Sequence, residues 1–182
     1  QIPRDIFISA YATAPCAADQ SFVLEGREEE FAAGLNALGM LTSGKVHLNI
    51  SRDESAQIFT EAKNVQINKF SGPHPAGNVG VQIHHISPIS SKDDIVWYLN
   101  TQSVADIGEY LITGIYPAQK IITVAGSSIS KATYLKIRKG APLEDILTDN
   151  LLSKDGIRII SGDVLSGDCL LYTSDAADDS LR

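Results

Sequence analysis

The order of local sequence patterns over the first 70 residues constrains the fold more than any other feature. Short runs of β-favouring residues alternate there with helical patterns, in the order strand, helix, strand, helix, strand. The three predicted strands cover residues 5–10, 45–50 and 64–70. Strands that are separated by helices pair in parallel through right-handed crossovers. This order therefore predicts an α/β domain with a Rossmann-like parallel sheet.

The first helical pattern covers residues 25–41. Its large apolar side chains recur at spacings of four, three and three residues, which places them on one face of an amphipathic helix. These side chains are Phe31, Leu35, Leu38 and Leu41. Glu28, Glu29 and Glu30 fall in the first turn, where the helix dipole favours negative charge. We expect Gly44 to stop this helix.

Shorter patterns predict the rest of this domain. They indicate a helix from a cap at Ser51 or Asp53 to about residue 62, a loop at 71–80, a strand at 81–86, and a long helix from Asp93 or Asp94 to about Thr113. The apolar face of the long helix is expected to include Ile95, Leu99, Ile107, Tyr110 and Leu111. Gly108 interrupts this helix at a cost of about 1 kcal/mol relative to alanine, which indicates backbone crowding or a break there.

The pattern changes near residue 116, where a second, smaller module is expected to begin. Its predicted elements are strands at 120–125, 133–138 and 158–161 and a helix at 141–147. Gly126 begins the turn between the first two strands, and Pro142 opens the helix, where a missing N–H does no harm. This arrangement predicts a β-grasp-like module. The expected domain limits are 1–116 and 117–168.

The last stretch, residues 169–182, reads CLLYTSDAADDSLR and shows neither the apolar periodicity of a helix nor that of a strand. It resembles the in-frame translation of a common sequencing adapter. We interpret it as a non-native tail that contributes nothing to the fold. A natural, disordered acidic tail is the alternative interpretation.

Composition excludes several classes of function. The net charge is −7, and the 15 basic residues are dispersed, so nucleic-acid binding is not expected. No run approaches the ~18 apolar residues that a membrane span requires. The two cysteines, Cys16 and Cys169, form no metal-type pair. Such low cysteine usage suits a reducing compartment. The chain begins at Gln1 without a signal-like segment, which favours an interior fragment.

A glycine- and proline-rich run carries a family resemblance. Residues 70–85 read FSGPHPAGNVGVQIHH, and this run resembles the signature of the NqrA family, one of the subunits of the Na+-translocating NADH:quinone oxidoreductase. Collinear similarity continues at 96–104, 111–114, 121–126, 138–146 and 157–167. The resemblance implies a Rossmann-like middle domain followed by the start of a ligand-binding β-grasp module of the SLBB type. It also implies a lipoyl-like domain upstream and a helical region downstream.

The resemblance further implies a peripheral subunit on the cytoplasmic face of the bacterial inner membrane. There it would support electron transfer from NADH to ubiquinone coupled to Na+ export, and would contribute to quinone binding. Its partners would be the other subunits and ubiquinone. NADH, FAD, FMN, iron–sulfur centres and ubiquinone would serve the whole complex, whereas this chain would bind no redox cofactor and be non-catalytic alone. Alternatives are a free-standing flavin- or NADH-binding module related to the complex I NADH-binding subunit, and a plain ligand-binding β-grasp protein.

The same run provides the candidate site, a quinone-binding or interface loop. Its residues are Gly72, Pro73, His74, Pro75, Gly77 and Gly80. Gly77 and Gly80 permit close backbone approach. The spacing matches no dinucleotide or P-loop fingerprint, and we expect the loop to lead into a strand rather than a helix. A rigid structural turn is the alternative interpretation.

Other chemically capable residues are weaker candidates. Adjacent residues on a strand face opposite ways, so His84 and His85 cannot share an ion and no metal site is expected. His74 remains a candidate proton relay. Cys16 lacks a recognisable base and is expected to be inert. Trp97 and Tyr98 on the long helix suit either quinone stacking or, more often, core packing. Glu28, Glu29 and Glu30 suit a solvated helical turn better than acid–base chemistry.

Overall fold

The chain folds into two compact units. A computed structural model describes residues 2–147, 150–152 and 157–170. The first unit comprises Gln1–Thr13 with Asp19–Pro117, and the second comprises Ala14–Ala18 with Ala118–Arg182.

A four-stranded parallel sheet forms the centre of the first unit. Its strands are β1 (Asp5–Ser9), β2 (Val46–Ser51), β3 (Gln66–Phe70) and β4 (Val96–Asn100). They are arranged in the order β3-β2-β1-β4, with every neighbouring pair parallel. The chain therefore moves outward from β1 to β3 and then returns to the other side of β1. The predicted α/β class with a Rossmann-like parallel sheet is confirmed.

Five helices connect and cover the strands. They are α1 (Gln20–Val23), α2 (Glu28–Gly39), α3 (Gln57–Thr60), α4 (Val79–Ile86) and α5 (Thr101–Thr113). Asn100 caps α5 by accepting a hydrogen bond of 2.8 Å from the Ser103 N–H. Gly114 ends α5 in the left-handed conformation that glycine tolerates, with φ of 73°. No helix among the described residues is both long and apolar enough to cross a membrane.

The apolar core lies between one face of the sheet and helices α2 and α5. Alternate residues of β1 and β2 supply the sheet side of this core because successive strand residues face opposite ways. They are Ile6, Ile8, Val46, Leu48 and Ile50. Phe31 of α2 packs edge-on against Phe59 of α3, with ring centroids 5.8 Å apart.

Helix α2 keeps the predicted face but is shorter than predicted. Phe31, Leu35 and Leu38 are buried, whereas Leu41 lies past the helix end and is 50% exposed. Gly44 does not stop the helix, since α2 ends at Gly39. A Cβ on Gly44 would overlap the carbonyl oxygen of Arg4, so its role is close packing.

Helices α2 and α5 touch through their backbones. A Cβ on Gly34 would overlap the carbonyl oxygen of Val104, and one on Gly108 would overlap that of Glu30. The crowding predicted at Gly108 is thus confirmed, while α5 continues through this residue without a break. These two glycines allow the helices to approach more closely than side chains would permit.

Three further local predictions in this unit are wrong. The predicted strand at 81–86 is helix α4, because short apolar runs do not distinguish the two structures. The long helix predicted from residue 93 is divided into β4 and α5, since the aromatic and branched residues at 96–99 favour a strand. Helix α3 begins after Ala56 rather than at Ser51 or Asp53.

The strands in the described part of the second unit form two antiparallel pairs. Strand β5 (Gln119–Val124) pairs with β6 (Thr133–Arg138), and helix α6 spans Leu143–Leu147, close to their predicted positions. Strand β7 (Ile159–Ser161) pairs with β8 (Asp168–Leu170). Cys169 and Leu170 thus take part in a sheet, so the prediction that nothing from residue 169 onward contributes to the fold is wrong for these two residues. Residues 171–182 lie outside the described part of the chain.

Candidate functional site

The 72–80 loop lies at the carboxyl end of β3 and runs directly into helix α4, whose first two residues, Val79 and Gly80, are its last two. The expectation that a strand would follow it is therefore wrong. Two backbone hydrogen bonds shape the loop, from the Ala76 N–H to the Pro73 carbonyl at 2.9 Å and from the Asn78 N–H to the Pro75 carbonyl at 2.8 Å. The candidate residues divide into those exposed to solvent (Gly72, Pro73, Pro75 and Gly80) and those half-buried (His74 and Gly77).

The segment that follows β1 holds this loop from one side. The Tyr11 hydroxyl donates a hydrogen bond of 2.9 Å to the Gly72 carbonyl. The Thr13 hydroxyl accepts one of 2.9 Å from the Gly77 N–H and lies 3.3 Å from Nδ1 of His74. The carboxyl ends of parallel strands meet at one edge of a sheet, and ligands of open α/β sheets bind outside that edge. The loop is thus fixed at the edge where such folds bind ligands.

The two candidate glycines of the loop differ in their surroundings. A Cβ on Gly77 would lie 2.6 Å from the Thr13 nitrogen and 2.8 Å from the Tyr11 carbonyl oxygen, so only glycine fits there. A Cβ on Gly80 would meet nothing within 4 Å. Close backbone approach therefore occurs at Gly77 and does not occur at Gly80.

A buried amide supports the loop from below. Gln82 of α4 is fully buried. Its Nε2 lies 3.4 Å from the carbonyl oxygens of both Ala76 and Gly77. Its Oε1 accepts a hydrogen bond of 2.9 Å from Nδ2 of Asn49, which is also fully buried. The loop backbone is thus connected through Gln82 to the central strand β2.

The hydrogen-bonded series of polar side chains continues across the sheet, on the face opposite the apolar core. Nδ2 of Asn68 donates to Oδ1 of Asn49 at 2.9 Å and lies 3.2 Å from Nδ1 of His47. The His47 ring stacks on Phe7, with centroids 4.6 Å apart and the planes inclined by 13°. Its Nε2 lies 3.7 Å from Oδ1 of Asp5. A row of side chains therefore runs across this face of the sheet from Asp5 to Gln82, which contacts the loop.

The charge state of this row follows from its surroundings. Burial lowers the pKa of His47, against the opposing effect of the Asp5 carboxylate, so His47 is neutral near pH 7. An amide nitrogen can only donate a hydrogen bond. Because Nδ2 of Asn68 faces Nδ1 of His47, Nδ1 must be the acceptor and Nε2 must carry the ring proton.

Asp5 anchors the other end of the row. Burial works to raise the pKa of Asp5, but hydrogen bonds from the Lys45 N–H at 3.0 Å and the Ser87 hydroxyl at 3.1 Å outweigh it, together with the nearby His47 and Arg4. The net result is that the pKa of Asp5 is lowered. This carboxyl is therefore ionised at neutral pH.

The aromatic candidates lie on a strand instead of a helix. Trp97 and Tyr98 belong to β4 and are 39% and 60% exposed, so the expectation of core packing is wrong for both. Tyr98 is in register with Phe7, which places it on the polar face of the sheet. It lies at an edge of the sheet, exposed to solvent.

The remaining candidates are not brought together. His84 and His85 lie on α4 with their rings 5.6 Å apart, so the argument from strand geometry is wrong. Over the described ranges, no three His, Cys, Asp or Glu side chains are placed to share a metal ion. Cys16 is exposed, and its backbone has a φ of 59°. Residues 28–30 form the first turn of α2, as predicted.

The sequence prediction missed the residues that support the loop. They are Tyr11, Thr13, His47, Asn49, Asn68 and Gln82. A signal was present, because polar residues alternate with apolar ones in VHLNIS of β2 and recur in QINKF of β3. Strands covered by helices on both faces are usually apolar throughout. Polar residues in such strands therefore indicate buried hydrogen-bond partners.

A parallel sheet in the order β3-β2-β1-β4, with helices on both faces, defines a Rossmann-like α/β protein, and a small antiparallel unit follows it here. Residues 1–116 match the family model described as the NqrA second alpha/beta domain, and residues 121–170 match the NQRA C-terminal domain of the SLBB type. The chain belongs to the NqrA family. NqrA is one of the subunits of the Na+-translocating NADH-quinone reductase.

Individual relatives agree with this assignment. The chain is 39% identical over 166 residues to the NqrA subunit of the Na+-translocating NADH-quinone reductase of Rhodopirellula baltica. It is 41% identical over 167 residues to the subunit of the same name in Yersinia pestis. Each match covers 91% of this chain and 36% of the relative, so the chain spans about a third of the length of these proteins.

A solved structure shares the fold. An NAD+-reducing NiFe hydrogenase in its H2-reduced state matches 89% of this chain and 35% of its own chain, with a TM-score of 0.64. The sequence identity is 13%. A likeness at this level of identity describes the fold alone.

Proposed function

We propose that this chain is the middle part of a non-catalytic, peripheral subunit of a sodium-pumping NADH:quinone reductase. That protein joins the other subunits on the cytoplasmic face of the inner membrane and supports electron transfer from NADH to ubiquinone coupled to Na+ export. The family membership of residues 1–116 and 121–170 supports this proposal. In it, NADH, FAD, FMN and iron–sulfur centres belong to the partner subunits.

The proposal includes a division of the chain at residue 116. Residues 1–116 act as the Rossmann-like domain, and residues 117–168 act as an incomplete SLBB-type module. Residues 169–182 are a tail in this proposal, with the correction that Cys169 and Leu170 pair with β7. Truncation after Gly167, compared with truncation after Leu170, tests this division through the melting temperature.

The 72–80 loop is the proposed quinone-binding or subunit-contact element. One observation carries this part of the proposal: the loop is held from two sides, by Thr13 and by the buried Gln82, while Pro73 and Pro75 remain exposed. A loop that is fixed by surrounding contacts binds a ligand or partner at a lower entropy cost than a mobile one. Exposed proline rings beside a histidine suit an apolar ring that carries carbonyl oxygens.

His74 is the proposed hydrogen-bond donor to a quinone carbonyl. Its Nδ1 lies 3.3 Å from the Thr13 hydroxyl, which already accepts from the Gly77 N–H and so has its own proton to donate. In that arrangement Nε2 of His74 carries the ring proton. The half-buried ring can then present this N–H at the surface of the loop.

The test uses the full-length protein in the assembled complex. His74→Ala should raise the KM for ubiquinone about fivefold in NADH-driven quinone reduction, since one hydrogen bond contributes roughly 1 kcal/mol. His84→Ala is the matched control because His84 is exposed on α4. A fall in the yield of assembled complex for His74→Ala alone would assign the loop to subunit contact. Unchanged KM and unchanged yield would contradict both roles.

A further inference from the structure

The hydrogen bonds beneath the 72–80 loop all run in one direction. Asn68 donates to Asn49, Asn49 donates to Gln82, and Gln82 donates to the carbonyl groups of the loop. Asn68 also points an N–H at His47. Its Oδ1 accepts a hydrogen bond of 3.3 Å from Nε2 of Gln66, whose own Oε1 accepts from the Lys45 ammonium at 2.8 Å. Each primary amide carries its donor and its acceptor on opposite sides, so the orientation of one amide sets that of the next.

We infer that Gln82 is the positioning residue of the 72–80 loop, and that neutral His47 sets the direction of the amide chain through which Gln82 holds it. This inference rests on the proposed function only for what the loop binds. The coupling between His47 and the loop is a property of the hydrogen bonds alone.

Burial makes this orientation consequential. Asn49 and Gln82 are fully buried, and every described buried side-chain nitrogen or oxygen has a hydrogen-bond partner. Water is not at hand to replace a lost partner at such positions, so a reversed amide leaves donors facing donors and acceptors facing acceptors. The loop carbonyls of Ala76 and Gly77 accept a hydrogen bond only when Gln82 presents Nε2 to them.

Protonation of His47 reverses the orientation that the Asn68 amide must adopt. A proton on Nδ1 would face the N–H group of Asn68, so the Asn68 amide would have to turn its oxygen toward the ring and give up the hydrogen bond from Nε2 of Gln66. Asn49 would then have to turn in response, and Gln82 after it. Gln82 would finally present Oε1 to two carbonyl oxygens, which repel it. The loop would lose its support from below.

The groups around His47 determine when this happens. Charged groups act on it from β1, through Asp5 and Arg4, and from the start of β2, through Lys45. The neighbour on β3 is the neutral amide Asn68, and α4 provides the neutral amide Gln82, which contacts Asn49. Burial lowers the pKa of His47 below its usual 6.5 and so favours the neutral ring. The support of the loop should therefore be complete above pH 6.5 and weaken as the pH falls below it.

Hydrogen exchange of the full-length protein tests this inference without any quinone. The amide hydrogens of Ala76, Gly77 and Asn78 are hydrogen-bonded within the loop region and report its opening. Gln82→Leu removes both hydrogen-bonding groups of Gln82 and should speed their exchange about tenfold, with strands β1 and β2 still protected. Gln57→Leu, at an exposed glutamine of α3, is the matched control and should leave exchange unchanged.

A second variant tests the role of the proton. His47→Asn keeps an acceptor near the position of Nδ1 but cannot be protonated near neutral pH. After correction for the intrinsic pH dependence of exchange, the wild-type loop should open more between pH 7.5 and pH 5.5, by about tenfold, and the His47→Asn loop should not. An equal pH response in both proteins would overturn the inference, as would unchanged loop exchange in a folded Gln82→Leu variant.

These outcomes are separable from the proposed function. A loop that opens as expected, in a complex whose KM for quinone and yield do not respond to His74→Ala, would refute the proposed role of the loop and leave the inference intact. A loop that does not respond to Gln82→Leu or to pH would refute the inference and leave the quinone assay unaffected. If Gln82→Leu does not fold, the comparison of wild type with His47→Asn decides the question.

Discussion

Substituting Gly108 by alanine should separate helices α2 and α5. The added Cβ would overlap the carbonyl oxygen of Glu30 and would lie 2.7 Å from its carbonyl carbon and 2.8 Å from the Gly34 nitrogen. All three obstacles are backbone atoms of a packed helix, so no flexible side chain can move aside. The helices would have to shift by more than an ångström, and the apolar side chains between them would lose contact.

The magnitude follows from two opposing effects. Alanine gains about 1 kcal/mol over glycine inside a helix. Overpacking of a well-packed interface costs about 1–3 kcal/mol, and a collision with three backbone atoms of α2 belongs at the upper end of that range. The expected net loss is therefore about 2 kcal/mol of unfolding free energy. Gly39→Ala, at an exposed position of α2 where a Cβ meets nothing within 4 Å, should cost nothing or stabilise slightly.

Urea unfolding followed by tryptophan fluorescence measures this difference. The chain has one tryptophan, Trp97, and it lies in β4 of the first unit, so the signal reports on that unit. With a slope of about 2 kcal/mol per molar urea, Gly108→Ala should lower the midpoint by about 1 M. A Gly108→Ala protein as stable as the Gly39→Ala control would refute the backbone contact between α2 and α5.

Four further predictions concern stability, cofactor content and the end of the chain. Leu99→Asp should lower the free energy of unfolding by roughly 2–3 kcal/mol, because Leu99 of β4 packs against the core. In the same urea assay, the control Ile89→Asp should change it little, because Ile89 is 55% exposed. The free energy of unfolding should be constant above pH 6.5 and fall below it as His47 is protonated, with a further loss below pH 3.8 from Asp5, because folding lowers the pKa of each group. Urea midpoints measured across pH 3–8 would check this, and a flat profile would contradict it. The purified protein should lack stoichiometric absorbance near ~450 nm, where oxidised flavins absorb, and flavin retained through gel filtration would favour the alternative cofactor-binding module. Truncation after Leu170 should leave the melting temperature unchanged, while truncation after Gly167 removes β8 and should lower it.

The sheet was predictable where the sequence alternates clearly between the two structural periods. The strands at β1, β2 and β3 stand in β-favouring runs between helical patterns, so their parallel pairing followed from their order. The pattern was ambiguous where apolar residues run together. Residues 95–99 suit a helix by spacing and a strand by composition, and pairing with β1 decides in favour of the strand.

The candidate site was only partly predictable for a related reason. The glycines and prolines of the 72–80 loop are visible in sequence because few other residues form such turns. The residues that hold the loop come from four other segments and, apart from His47, are ordinary amides and hydroxyls. Gln82 falls in a run that reads equally well as a strand, and Thr13 falls in a loop of small residues. Their roles depend on contacts across more than 30 residues, which no local pattern encodes.

Affinity purification from the native membrane tests the central claim most directly. The full-length protein that contains this chain would be tagged at its chromosomal locus, extracted in a mild detergent and purified, and its partners would be identified by mass spectrometry. We predict that the other subunits of a Na+-translocating NADH-quinone reductase copurify in stoichiometric amounts, and that the preparation reduces ubiquinone with NADH in a Na+-stimulated manner. Recovery of the protein alone, without these subunits and without that activity, would contradict the account.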